Sequence, residues 1–398
     1  MRAVLISLLL VAPARAAITV GPYVQDVRPD GFTIAFETDA PVAATVSLPG
    51  HDAVTAPGTR HEARVEHLAP STRYHYRVRA GDAELDGGDV ITAPEGPHPF
   101  TFVVLGDTRD GPETEQAVIK AALAESPELA LHAGDFVPIG GDAAAWPAFF
   151  NAERTLLAGV PLYPAAGNHE LYQDAEGANF RRWFVLPEGG RDARHYSFRW
   201  GAARFVVLDA NATGAAHADE TRWLERTLAE KNPGPTFVLM HQPALSMGGH
   251  CGAGSDDADW VALFERFRVR AVFAGHDHAY QRLERNGVRY FVSGGGGARL
   301  YDQRDSCPAY DHAAHRVYAA EHHYLRVRVS GDRVELAALR PSGSAIETVL
   351  LDDLPLVAGA APPLDVAGSP LPRRWPLAAF TILIVAVLGG ILRRRWSR

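Results

Sequence analysis

Residues 271–278 read Ala271-Val272-Phe273-Ala274-Gly275-His276-Asp277-His278. The first four are apolar, short and bounded by glycine, as a buried strand should be. Two imidazoles and a carboxylate follow at once. The same succession occurs at four other places. Phe102-Val-Val-Leu105 runs into Gly106-Asp107-Thr108-Arg109, and Leu129-Ala-Leu131 comes just before Gly134-Asp135. Pro161-Leu-Tyr-Pro164 precedes Gly167-Asn168-His169-Glu170, and Phe237-Val-Leu-Met240 precedes His241-Gln242-Pro243. Helical stretches near 114–124, 145–150, 221–230 and 260–267 lie between these runs. Strands alternating with helices in this way form an α/β layered domain.

Ligands of open α/β sheets bind beyond the carboxyl ends of the strands. Five strand ends would therefore bring Asp107, Asp135, Asn168 and several histidines to one edge. Each motif alone is an ordinary turn; the ordered set is the signal. Carboxylate, amide carbonyl and neutral imidazole are ligands for borderline or hard metal ions. Two ions bridged by a carboxylate suit hydrolysis at phosphorus. The set contains no thiolate, so it does not read as a structural Cys-rich zinc site.

Working outward, residues 17–94 alternate polar and apolar with period two, as in Arg73-Tyr-His-Tyr-Arg-Val-Arg79. Turn signals such as Pro29-Asp30-Gly31 and Ala80-Gly81-Asp82 separate the runs, which predicts an all-β sandwich. A β-rich end follows residue 290. The chain is 398 residues long, with 47% hydrophobic and 22% charged residues, enough for two or three folded domains. Its formal net charge is −8. Arginines at both ends mask a more acidic body, which argues against nucleic-acid binding.

Residues 1–16 have a basic start, an apolar run and Ala14-Arg15-Ala16, the pattern of a signal peptide. Residues 351–374 read as a linker. Residues 375–392 are uncharged and precede Arg393-Arg394-Arg395, which predicts a transmembrane helix and a basic cytoplasmic tail over 393–398. Export to the periplasmic or extracellular face, with a C-terminal membrane anchor, is the expectation. The two cysteines, Cys251 and Cys307, are then expected to pair, a shared metal site being the competing reading.

The five motifs, with His195-Tyr-Ser-Phe198 and Val292-Ser-Gly-Gly-Gly-Gly297, resemble the calcineurin-like metallophosphoesterases. Within these the chain is similar to purple acid phosphatases with an N-terminal fibronectin type III-like domain. The resemblance implies that residues 17–94 are that domain and 99–350 the metallophosphoesterase domain. It implies two metal ions, the first held by Asp107, Asp135 and His278. Asp135 would bridge to a second held also by Asn168, His241 and His276. It further implies that His169 is a proton donor or charge stabiliser, and that His250 contacts substrate, against a reading as an ordinary loop histidine.

Two positions depart from the pattern. Arg109 stands where many relatives have histidine, and either clamps the phosphate or pairs with Asp110 or Glu113. Pro138 stands where purple acid phosphatases have a metal-binding tyrosine, so divalent Mn, Zn or Fe is expected. The implied activity is hydrolysis of phosphate esters, monoesters first. A phosphodiesterase or nucleotidase, and a non-catalytic adhesion protein with a degenerate domain, are the alternatives.

Overall fold

The computed structural model describes residues 16–187, 190, 194–252 and 257–351. The chain divides into two compact units, residues up to Pro94 with Phe150–Pro161, and Glu95–Phe149 with Leu162 onward.

The first unit is all-β. Its strands are β1 (Ile18–Arg28), β2 (Gly31–Leu48), β3 (His51–Val65), β4 (Arg73–Ala80) and β5 (Ala83–Ile91). Along one edge β2 pairs with β3; along the other it pairs first with β1, through Gly31 to Thr38, and then with β4, through Ala44 to Ser47. The change of partner coincides with a register shift between Glu37 and Ala44, where Pro41 lacks the N–H that a ladder needs. Strands that switch partners at such irregularities make the corners of β-sandwiches. Tyr74 closes a further corner, its hydroxyl accepting from the Ala69 amide at 2.9 Å.

The second unit holds two sheets. Strands β6 (Phe100–Leu105), β7 (Leu129–His132) and β8 (Leu162–Pro164) are parallel neighbours. In the other sheet, β9 (Tyr196–Trp200) flanks β10 (Ala203–Val207), β11 (Thr236–Leu239) and β12 (Ala271–Ala274). Further strands extend both: in the second, β14 (Val288–Ser293) lies parallel to β12, followed by antiparallel β13 (Tyr280–Arg285) and β15 (His315–Ala319); in the first, antiparallel β16 (Tyr324–Ser330), β17 (Arg333–Leu339) and β18 (Ala345–Leu350) continue from β6. Phe102 of β6 meets Phe205, Phe237 and Phe273 of the facing sheet edge-on, at centroid distances of 5.3, 5.3 and 6.0 Å. These contacts lock the two sheets together and align the strand ends that carry the five motifs.

The expected layered α/β fold and all-β region are present, but the fold class needs one correction. Among the described residues no helix is long and apolar enough to cross a membrane. The segment expected to span, 375–392, lies outside the described residues, as do residues 1–15, most of the linker and the basic tail.

Candidate metal centre

Asp107 and Asp135 follow β6 and β7, Asn168 and His169 follow β8, His241 follows β11, and His276 and His278 follow β12. The loops are laced to one another: Asp107 N–H donates to Gly134 O, and Gly275 N–H to His241 O. Asp107, Asp135 and His276 have left-handed backbones, with φ of 56°, 60° and 68°. Non-glycine residues adopt that region at a cost of order 1–3 kcal/mol each, typically at functional sites. Glycine is required where loops meet ligands. A Cβ on Gly167 would lie 2.2 Å from Asp135 Oδ1, and one on Gly275 would lie 2.4 Å from Asp107 Oδ2.

Asp107, Asp135 and His278 are buried and offer ligand atoms all within 4.8 Å of one another. The Nδ1 of His278 lies 2.7 Å from Arg299 O, which can only accept, so that nitrogen carries the proton. Its Nε2 lone pair then points at Asp107 Oδ1, 3.4 Å away. Asp107 Oδ2 accepts the His276 amide at 2.8 Å, while the buried Oδ1 has no hydrogen-bond partner. An orphaned carboxylate oxygen facing an imidazole lone pair fits a cation.

Around His241 the pattern repeats. Its Nδ1 donates to Ala133 O at 2.6 Å, which leaves Nε2 to accept. That atom lies 3.0 Å from Asn168 Oδ1, 3.3 Å from Asp135 Oδ1 and 3.2 Å from His276 Nδ1. Asp135 therefore stands between two groups of acceptors, as a bridging carboxylate would. Burial opposes its ionisation, but His241, His169 and Arg109 outweigh burial and hold its carboxyl well below the usual range. Burial likewise disfavours charge on His278, and the Asp107 carboxylate more than reverses this, raising its proton affinity.

His169 lies at the rim. Its amide donates to Asp135 Oδ1 at 3.1 Å, and its Nδ1 donates to Pro138 O at 2.6 Å. Its Nε2 is 3.8 Å from Asp135 Oδ2. Arg109 donates from Nε to Asp135 Oδ2 at 3.2 Å and also pairs with Asp110. Asp135 as its partner was not foreseen in the sequence. His250 sits farther out, its ring tilted against that of His276 at a centroid distance of 4.0 Å. The structure thus gathers all nine candidate residues around Asp135 and His276, with His250 and Arg109 at the margin.

Two functional residues had no role in the sequence reading although they lie inside the motifs. Glu170 is fully buried and its carboxylate accepts the amides of Asp135, Phe136, Val137 and Gly167, at 2.8, 2.8, 3.3 and 2.7 Å. It ties the Asp135 loop to the Asn168 loop. Burial and the nearby Asp135 push its carboxyl up to about 8, against these amides. Asp277 is also fully buried and turns away from the ligand cluster, toward the loop of His250. A carboxylate inside a ligand motif was the available signal in both cases. Cys251 and Cys307 form a disulfide with Cα atoms 5.5 Å apart.

Residues 100–280 match the family described as calcineurin-like phosphoesterase. Purple acid phosphatase 21 of Arabidopsis thaliana is 26% identical over 264 residues, covering 61% of this chain and 59% of the relative. A purple acid phosphatase of Glycine max is 27% identical over 275 residues, covering 64% and 59%. The chain thus spans less than two thirds of the length of these curated relatives. The structure of purple acid phosphatase PPD1 from yellow lupin seeds is similar with a TM-score of 0.69 at 16% identity, covering 83% of this chain and 73% of that one. A structure of PhoD is similar with a TM-score of 0.66 at 12% identity, covering 94% and 98%. Both likenesses are of fold. Residues 100–280 therefore form a calcineurin-like phosphoesterase domain, in a chain whose relatives include the purple acid phosphatases.

Proposed function

We propose that the chain is a metal-dependent phosphoesterase that hydrolyses phosphate esters, monoesters in preference to diesters. The observation that carries this reading is the convergence of acceptors on both sides of Asp135. Asp107, Asp135 and His278 would hold one ion, and Asp135, Asn168, His241 and His276 the other. When bound, two such ions activate water at neutral pH and take up charge on the phosphoryl oxygens.

The chain's own residues do the rest. Carbonyls of Ala133 and Arg299 fix the histidine tautomers so that Nε2 faces inward. Glu170 holds two ligand loops in register. His169, with Nδ1 committed to Pro138 O, presents Nε2 on the Asp135 side of the site, where it can face an ester oxygen and move a proton there. Pro138 offers no side-chain donor, which supports divalent Mn, Zn or Fe(II) over a trivalent ion. The disulfide supports an exported protein, since such bonds persist in oxidising compartments.

The test is hydrolysis of an aryl phosphate and an alkyl phosphodiester by purified protein, with and without added divalent metal. Metal-dependent release of phosphate from the monoester is expected. Metal binding with no hydrolysis of either substrate would favour a non-catalytic binding protein.

A further inference from the structure

His250 reaches its place by way of a buried carboxylate. Asp277 has its Oδ1 2.8 Å from His250 Nδ1, and the same oxygen accepts the His250 amide at 3.1 Å. Its Oδ2 accepts the hydroxyl of Ser246. The Ser246 hydroxyl itself accepts from Gly248 N at 2.9 Å and from Gln281 Nε2 at 3.0 Å. Asp277 is wholly buried, whereas the His250 side chain is about a third exposed, at 35%. A carboxylate that accepts from Nδ1 leaves Nε2 as the nitrogen that meets solvent or ligand. One face of the His250 ring is fixed by His276 at 4.0 Å.

Asp277 is not part of the buried group of Asp107, Asp135 and His278, although it lies between His276 and His278 in sequence. Its neighbours also fit a dedicated bracket. Gly248 has no room for a Cβ, which would lie 2.6 Å from the Asp277 carboxyl carbon. On the far side of His250, Gly252 N–H donates to Asp311 Oδ2 at 2.9 Å, and Cys251 is bonded to Cys307. The loop is thus pinned immediately before and after the histidine.

We propose that Asp277 is a positioning residue for His250, and that the pair holds Nε2 of His250 against a non-bridging oxygen of the substrate phosphate. Asp277 acts only through His250 and touches neither substrate nor metal. This proposal rests on the phosphoesterase reading above.

The test combines Asp277→Asn, His250→Ala and the double variant, measured by kcat/KM on an aryl phosphate, by inhibition with inorganic phosphate, and by metal content. Asp277→Asn is expected to lower kcat/KM by about 10–100-fold and to raise the phosphate inhibition constant by a similar factor to His250→Ala. Metal content should match the wild type. The double variant should be no worse than His250→Ala alone, because the carboxylate has nothing else to position. Additive losses, or loss of metal from Asp277→Asn, would overturn the proposal and make Asp277 a general structural residue. Should Asp277→Asn not fold, Ser246→Ala loosens the same carboxylate. A several-fold loss is expected in the wild-type background and none in the His250→Ala background; a loss in both, or in neither, overturns the proposal. Failure of the phosphoesterase reading is distinct: the wild type itself would then hydrolyse no phosphate ester.

Discussion

His241 presents Nε2 to Asn168 Oδ1 at 3.0 Å while its other nitrogen is committed to a backbone carbonyl. Two acceptors face each other across a distance at which one of them should carry a proton or both should share a cation. Asn168→Ala is therefore expected to weaken binding of a second ion without removing the first, which Asp107, Asp135 and His278 would hold. Metal analysis after dialysis should give about one ion per chain instead of two. Loss of both ions would mean that Asn168 supports the whole cluster.

The His169 amide donates to Asp135 Oδ1, and its Nε2 lies 3.8 Å from Asp135 Oδ2. His169→Ala should leave metal content near the wild-type value and lower kcat by about 10²–10⁴-fold if the imidazole is a general acid. A variant that loses metal instead would make His169 a ligand.

Glu170→Gln replaces one acceptor oxygen with an amide nitrogen that faces backbone N–H donors. Two buried donors lose their partner, at roughly 1–3 kcal/mol each. The midpoint of chemical denaturation should fall accordingly with an unchanged slope. An unchanged midpoint would show that the cradle is not a source of stability.

The pH dependence has a sign that a buried histidine sets. Burial lowers the pKa of His132 from its ordinary value to about 3, Asp135 opposing and His241 adding to the shift. Its ring accepts the Gly134 amide at 3.1 Å and contacts Thr108 Oγ1 at 3.2 Å, as a neutral imidazole can. Between about pH 3 and the ordinary histidine range, the unfolded chain binds the extra proton and the folded chain does not. Stability from this residue is thus complete above pH 6.5 and is lost as pH falls toward the folded value. The gap in melting temperature between wild type and His132→Gln should shrink from pH 7 to pH 4.5. A gap that is constant or widens would contradict the assignment.

The disulfide closes a loop with a sequence separation of 56. Reduction should cost about 2–4 kcal/mol, visible as a lower melting temperature in reductant. Labelling of unreduced protein should find no free thiol at Cys251 or Cys307.

The clustering of the candidate residues was legible because each follows an apolar strand, and parallel strands deliver their ends to one edge. The runs 102–105, 129–131, 237–239 and 271–274 lie in strands, Met240 falling just beyond its strand. The polar strand Tyr280–Arg285, paired on both sides, was not legible, because Gln281, Arg282, Glu284 and Arg285 obscure its alternation. The helix Ala215–Ala229 begins ahead of its periodic part, after a glycine with no capping side chain to announce it. Glu170 and Asp277 stood in plain view, yet their roles depend on which way a side chain turns once loops from distant strands meet. The same holds for Arg109, whose partner Asp135 is 26 positions away. The membrane-spanning helix expected from the C-terminal apolar run falls outside the described residues, among which no helix is long and apolar enough to cross a membrane.

The most direct test of the account is the activity and metal content of Asp135→Asn beside the wild type. Asp135 lies within reach of both ligand groups, so its conversion to an amide removes the charge that two ions would share. The wild type should bind two divalent ions, remain colourless and hydrolyse an aryl phosphate only when metal is supplied. Asp135→Asn should lose metal from both positions and fall to background hydrolysis. Wild-type hydrolysis that survives chelation, or an Asp135→Asn variant that keeps full metal and full activity, would contradict the account.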